Sequence, residues 1–560
     1  MNEKLFHLGL CMAGSVSAGA YTAGVIDYLT EALENWELQR GRDDIPDHRV
    51  VIDLLGGSSG GGITAAITLF AMQDKLHPYR LVNNQPLSDG KNILWDAWVN
   101  LSDDDVFGEM LNGKDISKGY VPSAMNTDFI DAVAYKFRQY IAGLAKDRKG
   151  IPAYLCPESE LFLTLFNITG IKYELHTKAA TGASQFAFEH RDLAHFRWGD
   201  AVSNDGRMEL SYNQPENIET LLMSAPATGA FPLGLKARLV KRKARYLWEH
   251  PFVNKGSFLK EQIHLNEKDG YYISLNADGG AVNNEPVEVM RDFMLSMRKK
   301  YYKDIPEESS ATALTNSTVI LIDPFPSSDM RMKIPDESSA HLKTFTPSLL
   351  NAMSSQLLFD AKKALDAYNK ENYGLHLMAP SKDDMRPEYA LACGSLRGFG
   401  GFLNKDFRIH DFFLGRKNCQ SFLRKYFVAN LDATGDDRVC IESVIKGYDH
   451  ESSRQRFVRT DAKGRWAPII PEVSIMGPDD ITSDKGQLPE YHFDLLEADC
   501  LFGYRKQIGN RYRKLACNML NIPFPWNTLI SAGSWFTRKK ITDKVVGFIA
   551  SDFKDRKLMK

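Results

Sequence analysis

The residues best able to do chemistry lie in the run VVIDLLGGSSGGGITAAITLF, where Gly57-Ser58-Ser59-Gly60-Gly61 follows an apolar strand pattern and opens an Ala/Ile/Leu helix pattern. This is a G-x-S-x-G motif in the strand–turn–helix setting that makes a serine an exposed nucleophile. Gly57 and Gly61 flank a turn whose neighbours approach closely, and the helix dipole that begins there favours developing negative charge at Ser59. A serine hydroxyl needs a base to remove its proton. None of the thirteen histidines sits in a pattern that marks it as one, and His250 and His376 read as packing residues. A better candidate is YYISLNADGGAVNNEP, a strand ending at Asp278-Gly279-Gly280 and followed by Asn283 and Asn284. An aspartate at the end of a parallel strand lies on the edge where open α/β sheets hold their ligands, although a plain D-G turn is the competing account.

A third glycine-containing turn, Ala13-Gly14-Ser15-Val16-Ser17-Ala18-Gly19, joins the first strand pattern to the first helix pattern. Small residues let backbone N–H groups converge on an anion, so Gly14, Ser15 and Val16 are the candidate oxyanion donors. No Gly-Lys-Ser/Thr follows and no G-x-G-x-x-G occurs in this turn, which argues against a nucleotide cradle.

These three pieces, in this order, resemble the patatin-like phospholipases. Leu161–Gly170 (LFLTLFNITG) is similar to that family's strand after the elbow, and Ser224–Leu233 (SAPATGAFPL) to its proline-containing segment. The resemblance covers about residues 5–330. It implies a three-layer α/β/α fold with a mainly parallel central sheet, a Ser59–Asp278 dyad without histidine, an oxyanion hole in the first loop and no cofactor or metal. It also implies a phospholipid or other lipid ester as substrate, approached at a membrane surface. The first loop departs from the family's G-G-G-x-[RK]-G: Ser15 and Val16 replace glycines and Ala18 replaces the basic residue, a form that looks more like a bacterial patatin-related branch. Gly400–Leu423 is similar to C-terminal stretches of bacterial members. Its His410, Asp411 and Arg416 read as a structural hydrogen-bond and ion-pair cluster. The competing functions are an esterase or acyltransferase with a Ser–His–acid triad, and a non-catalytic lipid-binding scaffold.

The elements that must position these residues follow from patterning. Strands are expected at Leu5–Met12, Val50–Leu55, Leu161–Phe166, Tyr271–Leu275 and Thr318–Ile322, and helices at Ala18–Glu34 and Gly61–Met72. That alternation marks an α/β unit over residues 1–330, with a helical insertion at about 90–150 that carries Asp103-Asp104-Asp105 as a helix-start loop rather than a cation site. A Pro- and Ser-rich break at Asp323–Pro335 leads into a mainly helical region, 331–560, with helices at Thr346–Asn369 and Arg416–Asn430 and a long loop at Ala462–Glu490. The tail is expected to end in an amphipathic helix with Ile541, Val545, Phe548 and Ile549 on one face.

Composition bounds the rest. The 560 residues call for two to four units, and 43% hydrophobic with 25% charged residues excludes disordered and fibrous classes. Lysine and arginine number 69 against 71 acids, a net charge of −2, so no basic field attracts nucleic acid. Local basic runs (Lys236, Arg238, Lys241, Arg242, Lys243 and Arg245; Arg298–Lys300; Arg538–Lys540 beside Trp526, Trp535 and Phe536) suit either an anionic bilayer surface or a solvated face. Seven scattered cysteines without C-x-x-C fit a reducing compartment. The uncharged stretch Leu8–Val25 is Gly-, Ala- and Ser-rich, so it reads as a buried strand, turn and helix, and a cytoplasmic address is expected. Oligomeric state has no sequence signal.

Overall fold

The computed structural model describes residues 4–101, 105–147, 150–175, 185–203, 205–248, 263–301, 316–326, 337, 341, 374–382, 385, 387–474, 486–519 and 526–560. The N-terminal elements run β1 (Leu5–Met12), α1 (Gly19–Gln39), β2 (Arg49–Gly57), α2 (Ser59–Ala71), α3 (Ile93–Trp98), α4 (Val106–Leu111) and α5 (Asp128–Asp147). Next come β3 (Leu155–Leu175), β4 (Gln185–Trp198), α6 (Pro215–Thr228), β5 (Arg238–Lys243), β6 (Tyr271–Asp278), α7 (Val287–Tyr301), β7 (Ser317–Ile322) and β8 (Leu375–Met378). The larger later helices are α8 (Lys405–Lys425), α9 (Arg505–Asn518) and α10 (Trp526–Asp555).

The central sheet is mainly parallel. Strands β3, β2, β1, β7 and β8 lie side by side in parallel, while β6 and β4 pair antiparallel with β3, and β5 antiparallel with β6, so Asp278 ends an antiparallel strand and not the parallel one expected. Parallel strands covered on both faces read as continuous apolar runs, which is why LFHLGLCM and STVILI are strands despite little alternation. Alternation survives in where the side chains go. Leu8, Leu10, Met12, Ile320 and Ile322 meet the α1, α2 and α6 layer, whereas Cys11, Val319 and Leu321 meet Met290 and Met294 of α7 on the opposite face. A register shift between Ile52 and Leu54 puts Ile52 and Leu55 on the same face, although three positions separate them. The architecture is three-layer α/β/α.

Every expected strand exists, several longer than expected: the 161–166 pattern belongs to β3, which runs from Leu155 to Leu175. The 90–150 insertion is helical but does not stand apart, since Trp95, Trp98, Phe129 and Phe137 are buried in the main core. Residues on both sides of position 330 share one sheet, because β8 pairs with β7. α8 also lies along α1 at backbone contact distance: a Cβ on Gly24 would fall 1.9 Å from the Phe412 carbonyl oxygen, and one on Gly415 would fall 2.1 Å from that of Tyr21.

Three expectations for the later region need correcting. The helix expected at 416–430 runs from Lys405 to Lys425, and Val428–Asn430 is instead a strand whose Val428 and Ala429 are buried. Its partner, Gly464–Pro468, falls inside the stretch expected to be loop. In α10 the buried stripe is Val546, Ile549 and Phe553, so Phe548 stays 65% exposed and the expected face is only partly used. Docking chose the face one position over because that stripe meets the core. The helix expected at 346–369, Asp103, Asp104 and His250 lie outside the described residues, as do the side chains of Arg298–Lys300, Trp526, Trp535 and Phe536. Among the described residues no helix is long and apolar enough to cross a membrane.

Candidate active site

β2 delivers the chain to Ser58, and α2 begins at Ser59. Ser59 has φ +53°, a left-handed conformation that costs a non-glycine residue about 1–2 kcal/mol and marks a strained elbow. The turn closes against β1. A Cβ on Gly61 would sit 2.2 Å from the Met12 carbonyl oxygen, and Gly57 meets the same oxygen, so neither position accepts a side chain. Ser59, expected to be exposed at the turn, is instead buried at 7% exposure because the first loop lies over it, and its N–H donates to Thr228 Oγ1 at the end of α6 (2.9 Å).

Asp278 ends β6, 219 residues further along, and its Oδ2 accepts the Ser59 hydroxyl at 2.7 Å. Its other oxygen, Oδ1, accepts Gly280 N–H at 2.7 Å, and its own N–H donates to the Ala230 carbonyl oxygen at 2.9 Å. Gly279 and Gly280 form a 3₁₀ turn, and Gly279 lies against the β3 backbone at Thr164. Both carboxylate oxygens are therefore fixed before any ligand arrives. Burial pushes the Asp278 carboxyl up to about 6, against the opposing pull of the Ser59 and Gly280 hydrogen bonds. No histidine is a hydrogen-bond partner of Ser59 among the described residues. His195 bonds Glu160 (2.8 Å), half-buried His376 bonds Thr318 (3.0 Å) and His410 bonds Asp411 (2.8 Å).

The first loop passes directly over the elbow. A Cβ on Gly60 would fall 2.3 Å from Ser15 Oγ, and one on Gly14 would fall 3.3 Å from Ser59 Cβ. Gly14, Ser15 and Val16 are thus brought to Ser59. The Gly14 N–H donates to Asn284 Oδ1 (3.1 Å), which ties this loop to the turn after β6. Val16 also takes positive φ, +47°.

Beside Ser59 opens an apolar cleft of about 60 Å³. Val16, Gly60 and Ile63 form its near wall, Trp98 and Leu101 one side, and Phe129 and Val133 of α5 the far wall. Phe231, at its mouth, is 46% exposed and stacks edge-on with Phe399, while nearby Leu233 is 87% exposed.

Most of the basic run after α6 is committed to partners within the protein. Arg242 is 2% exposed and bonds both oxygens of Asp192, while Arg238 bonds Asp131, Lys243 pairs with Glu216 and Arg245 with Glu209. Lys241 sits over the Tyr271 ring, 3.8 Å from its centroid. The His410, Asp411 and Arg416 cluster is structural: Asp411 accepts Ala392 and Cys393 N–H (2.9 Å each), and Arg416 reaches Asp27 and Glu31 of α1. Among the described residues no group of three or more His, Cys, Asp or Glu side chains is arranged to hold a metal ion.

Two residues of this site had no role in the sequence reading. Thr228 lies within the Ser224–Leu233 segment and Asn284 within the stretch after Asp278, but a hydrogen bond to a distant amide has no local pattern.

No family model matches the chain. The uncharacterized protein y4iI of Sinorhizobium fredii (strain NBRC 101917 / NGR234) is 27% identical to it over 478 residues, covering 76% of this chain. The match spans 65% of that relative's length, less than two thirds.

Proposed function

We propose that this chain is a serine hydrolase that cleaves carboxylic esters of lipids, phospholipid or acylglycerol, through an acyl-enzyme on Ser59 with Asp278 as base. The observation that carries the reading is the 2.7 Å hydrogen bond between Ser59 Oγ and Asp278 Oδ2 at a strained elbow beside an apolar cleft. It fits the resemblance of the glycine loop, elbow and Asp-Gly-Gly to the patatin-like phospholipases.

In this reading Ser59 Oγ attacks the ester carbonyl carbon while Asp278 Oδ2 takes the hydroxyl proton. A carboxyl near 6 is a better base than one near 4 and is still ionised at neutral pH. The negative charge moves to the carbonyl oxygen. The amides of Ser15 and Val16 are the donors assigned to it, because that of Gly14 is bonded to Asn284. Such a donor is typically worth about 2.7–4 kcal/mol. Collapse breaks the ester C–O bond, and the departing alcohol takes its proton from Asp278. Water then repeats the sequence on the acyl-enzyme: Asp278 removes its proton, the acid leaves, and the proton returns to Ser59.

Exposed Phe231 at the cleft mouth, with exposed Leu233 two residues along the chain, supports contact with an apolar aggregate during substrate entry. Labelling with a fluorophosphonate followed by peptide mass spectrometry tests the reading. Modification of Ser59, with fatty acid released from phospholipid or ester substrates, is the expected result. An unlabelled Ser59, or vesicle binding without any ester cleavage, would favour the scaffold instead.

A further inference from the structure

The loop that passes over Ser59 lacks the basic residue expected to anchor it, and the later half of the chain supplies another anchor. Ser17, fully buried, donates its hydroxyl to the Gly398 carbonyl oxygen and accepts the Gly401 N–H at 3.0 Å. The segment holding these partners is itself unusual. Leu396 and Arg397 take φ +53° and +56°, and Gly398 at +96° brings its α-carbon against Val16, where an added Cβ would lie 3.0 Å from Val16 Cβ.

That conformation is fixed by three side chains from two helices. Asp411 of α8 accepts the N–H groups of Ala392 and Cys393, Arg408 of α8 bonds the Gly401 and Val99 carbonyl oxygens, and Asp552 of α10 accepts Leu396 N–H at 2.8 Å. A continuous set of hydrogen bonds thus runs from α10 and α8 through residues 392–401 to Ser17, one residue beyond Val16.

We propose that Ser17 is a positioning residue: with the 392–401 turn it clamps the first loop so that the Ser15 and Val16 amides hold their aim beside Ser59. The later half of the chain is then part of the active-site scaffold, with Asp552 as its outermost support. The catalytic consequence rests on the hydrolase reading above, but the clamp does not.

Hydrogen–deuterium exchange and ester kinetics on the full chain test both. Ser17→Ala should speed exchange in peptides spanning residues 12–20 and leave β2 and β7 protected. It should lower kcat on a p-nitrophenyl ester about 10- to 100-fold with KM within about twofold, because misaimed donors cost turnover rather than ground-state binding. Asp552→Ala, remote from the elbow, should give the same pattern more weakly, and it decides the matter if Ser17→Ala does not fold. Unchanged exchange at 12–20 in folded variants overturns the clamp even if the enzyme is active. So does a kcat per fluorophosphonate-reactive Ser59 equal to wild type. Altered exchange in a protein whose Ser59 never labels supports the clamp and overturns the hydrolase reading.

Discussion

Asp278 Oδ2 lies 2.7 Å from Ser59 Oγ, and the two residues arrive from strands that are not neighbours: β3 stands between β2, which ends at the elbow, and β6, which ends at the aspartate. Each is set at a strand end by a glycine turn, so the pair meets at one edge of the sheet. Ser59→Ala and Asp278→Ala should each reduce ester hydrolysis by about 10³- to 10⁶-fold, measured as kcat/KM on a soluble ester. Turnover within tenfold of wild type in either variant refutes the dyad.

The elbow conformation makes a separate stability prediction. At φ +53° alanine is strained as serine is, and glycine is not. Ser59→Gly should therefore exceed Ser59→Ala in unfolding free energy by about 1 kcal/mol, read from urea titrations of the two inactive proteins. An equal midpoint would mean that the turn is relaxed.

The raised carboxyl of Asp278 sets a pH dependence of opposite sign for activity and stability. Activity needs the ionised form, so kcat/KM should rise with pH through an inflection near 6. Stability runs the other way. The group binds its proton more tightly folded than unfolded, so its contribution is complete below about 4 and is lost as pH rises to about 6. Asp278→Asn should then be more stable than wild type by up to about 3 kcal/mol at pH 8, and by nothing at pH 4. Glu285, pushed to about 7, and Asp323, to about 6, are also raised by burial, so Glu285→Gln and Asp323→Asn are the controls that assign the activity limb.

In the proposed reading the cleft beside Ser59 receives the acyl group, and Phe129 forms part of its wall. Among p-nitrophenyl esters, Phe129→Ala should therefore move the acyl-chain optimum of kcat/KM to longer chains than in wild type. An unmoved optimum would show that the acyl group does not lie against Phe129.

Packing of α8 on α1 can be tested without reference to function. Gly24→Ala and Gly415→Ala each place a methyl group inside van der Waals distance of a backbone carbonyl and should cost about 1–3 kcal/mol or more. Gly143→Ala, in α5 with nothing near the new methyl, should instead stabilise by about 0.5–1 kcal/mol. Thermal unfolding of the three variants gives the comparison.

What the sequence by itself determined is whatever local physics dictates. Apolar runs such as LFHLGLCM and STVILI became parallel strands because nothing but a doubly covered sheet satisfies them. Glycines around Ser59 announced a turn that only a close approach requires, and Asp278 was marked by its place at a strand end before two glycines. Contacts between distant parts were decided only in three dimensions. No pattern near Gly24 says that Phe412 will lie against it, that Val545 and Phe548 will stay exposed while Val546 is buried, or that most of the basic run near Arg242 will be spent on carboxylates such as Asp192. Periodicity reports the environment a residue needs. The partner that supplies it, whether Thr228 for the Ser59 amide or Gly398 for the Ser17 hydroxyl, is fixed by how whole elements pack.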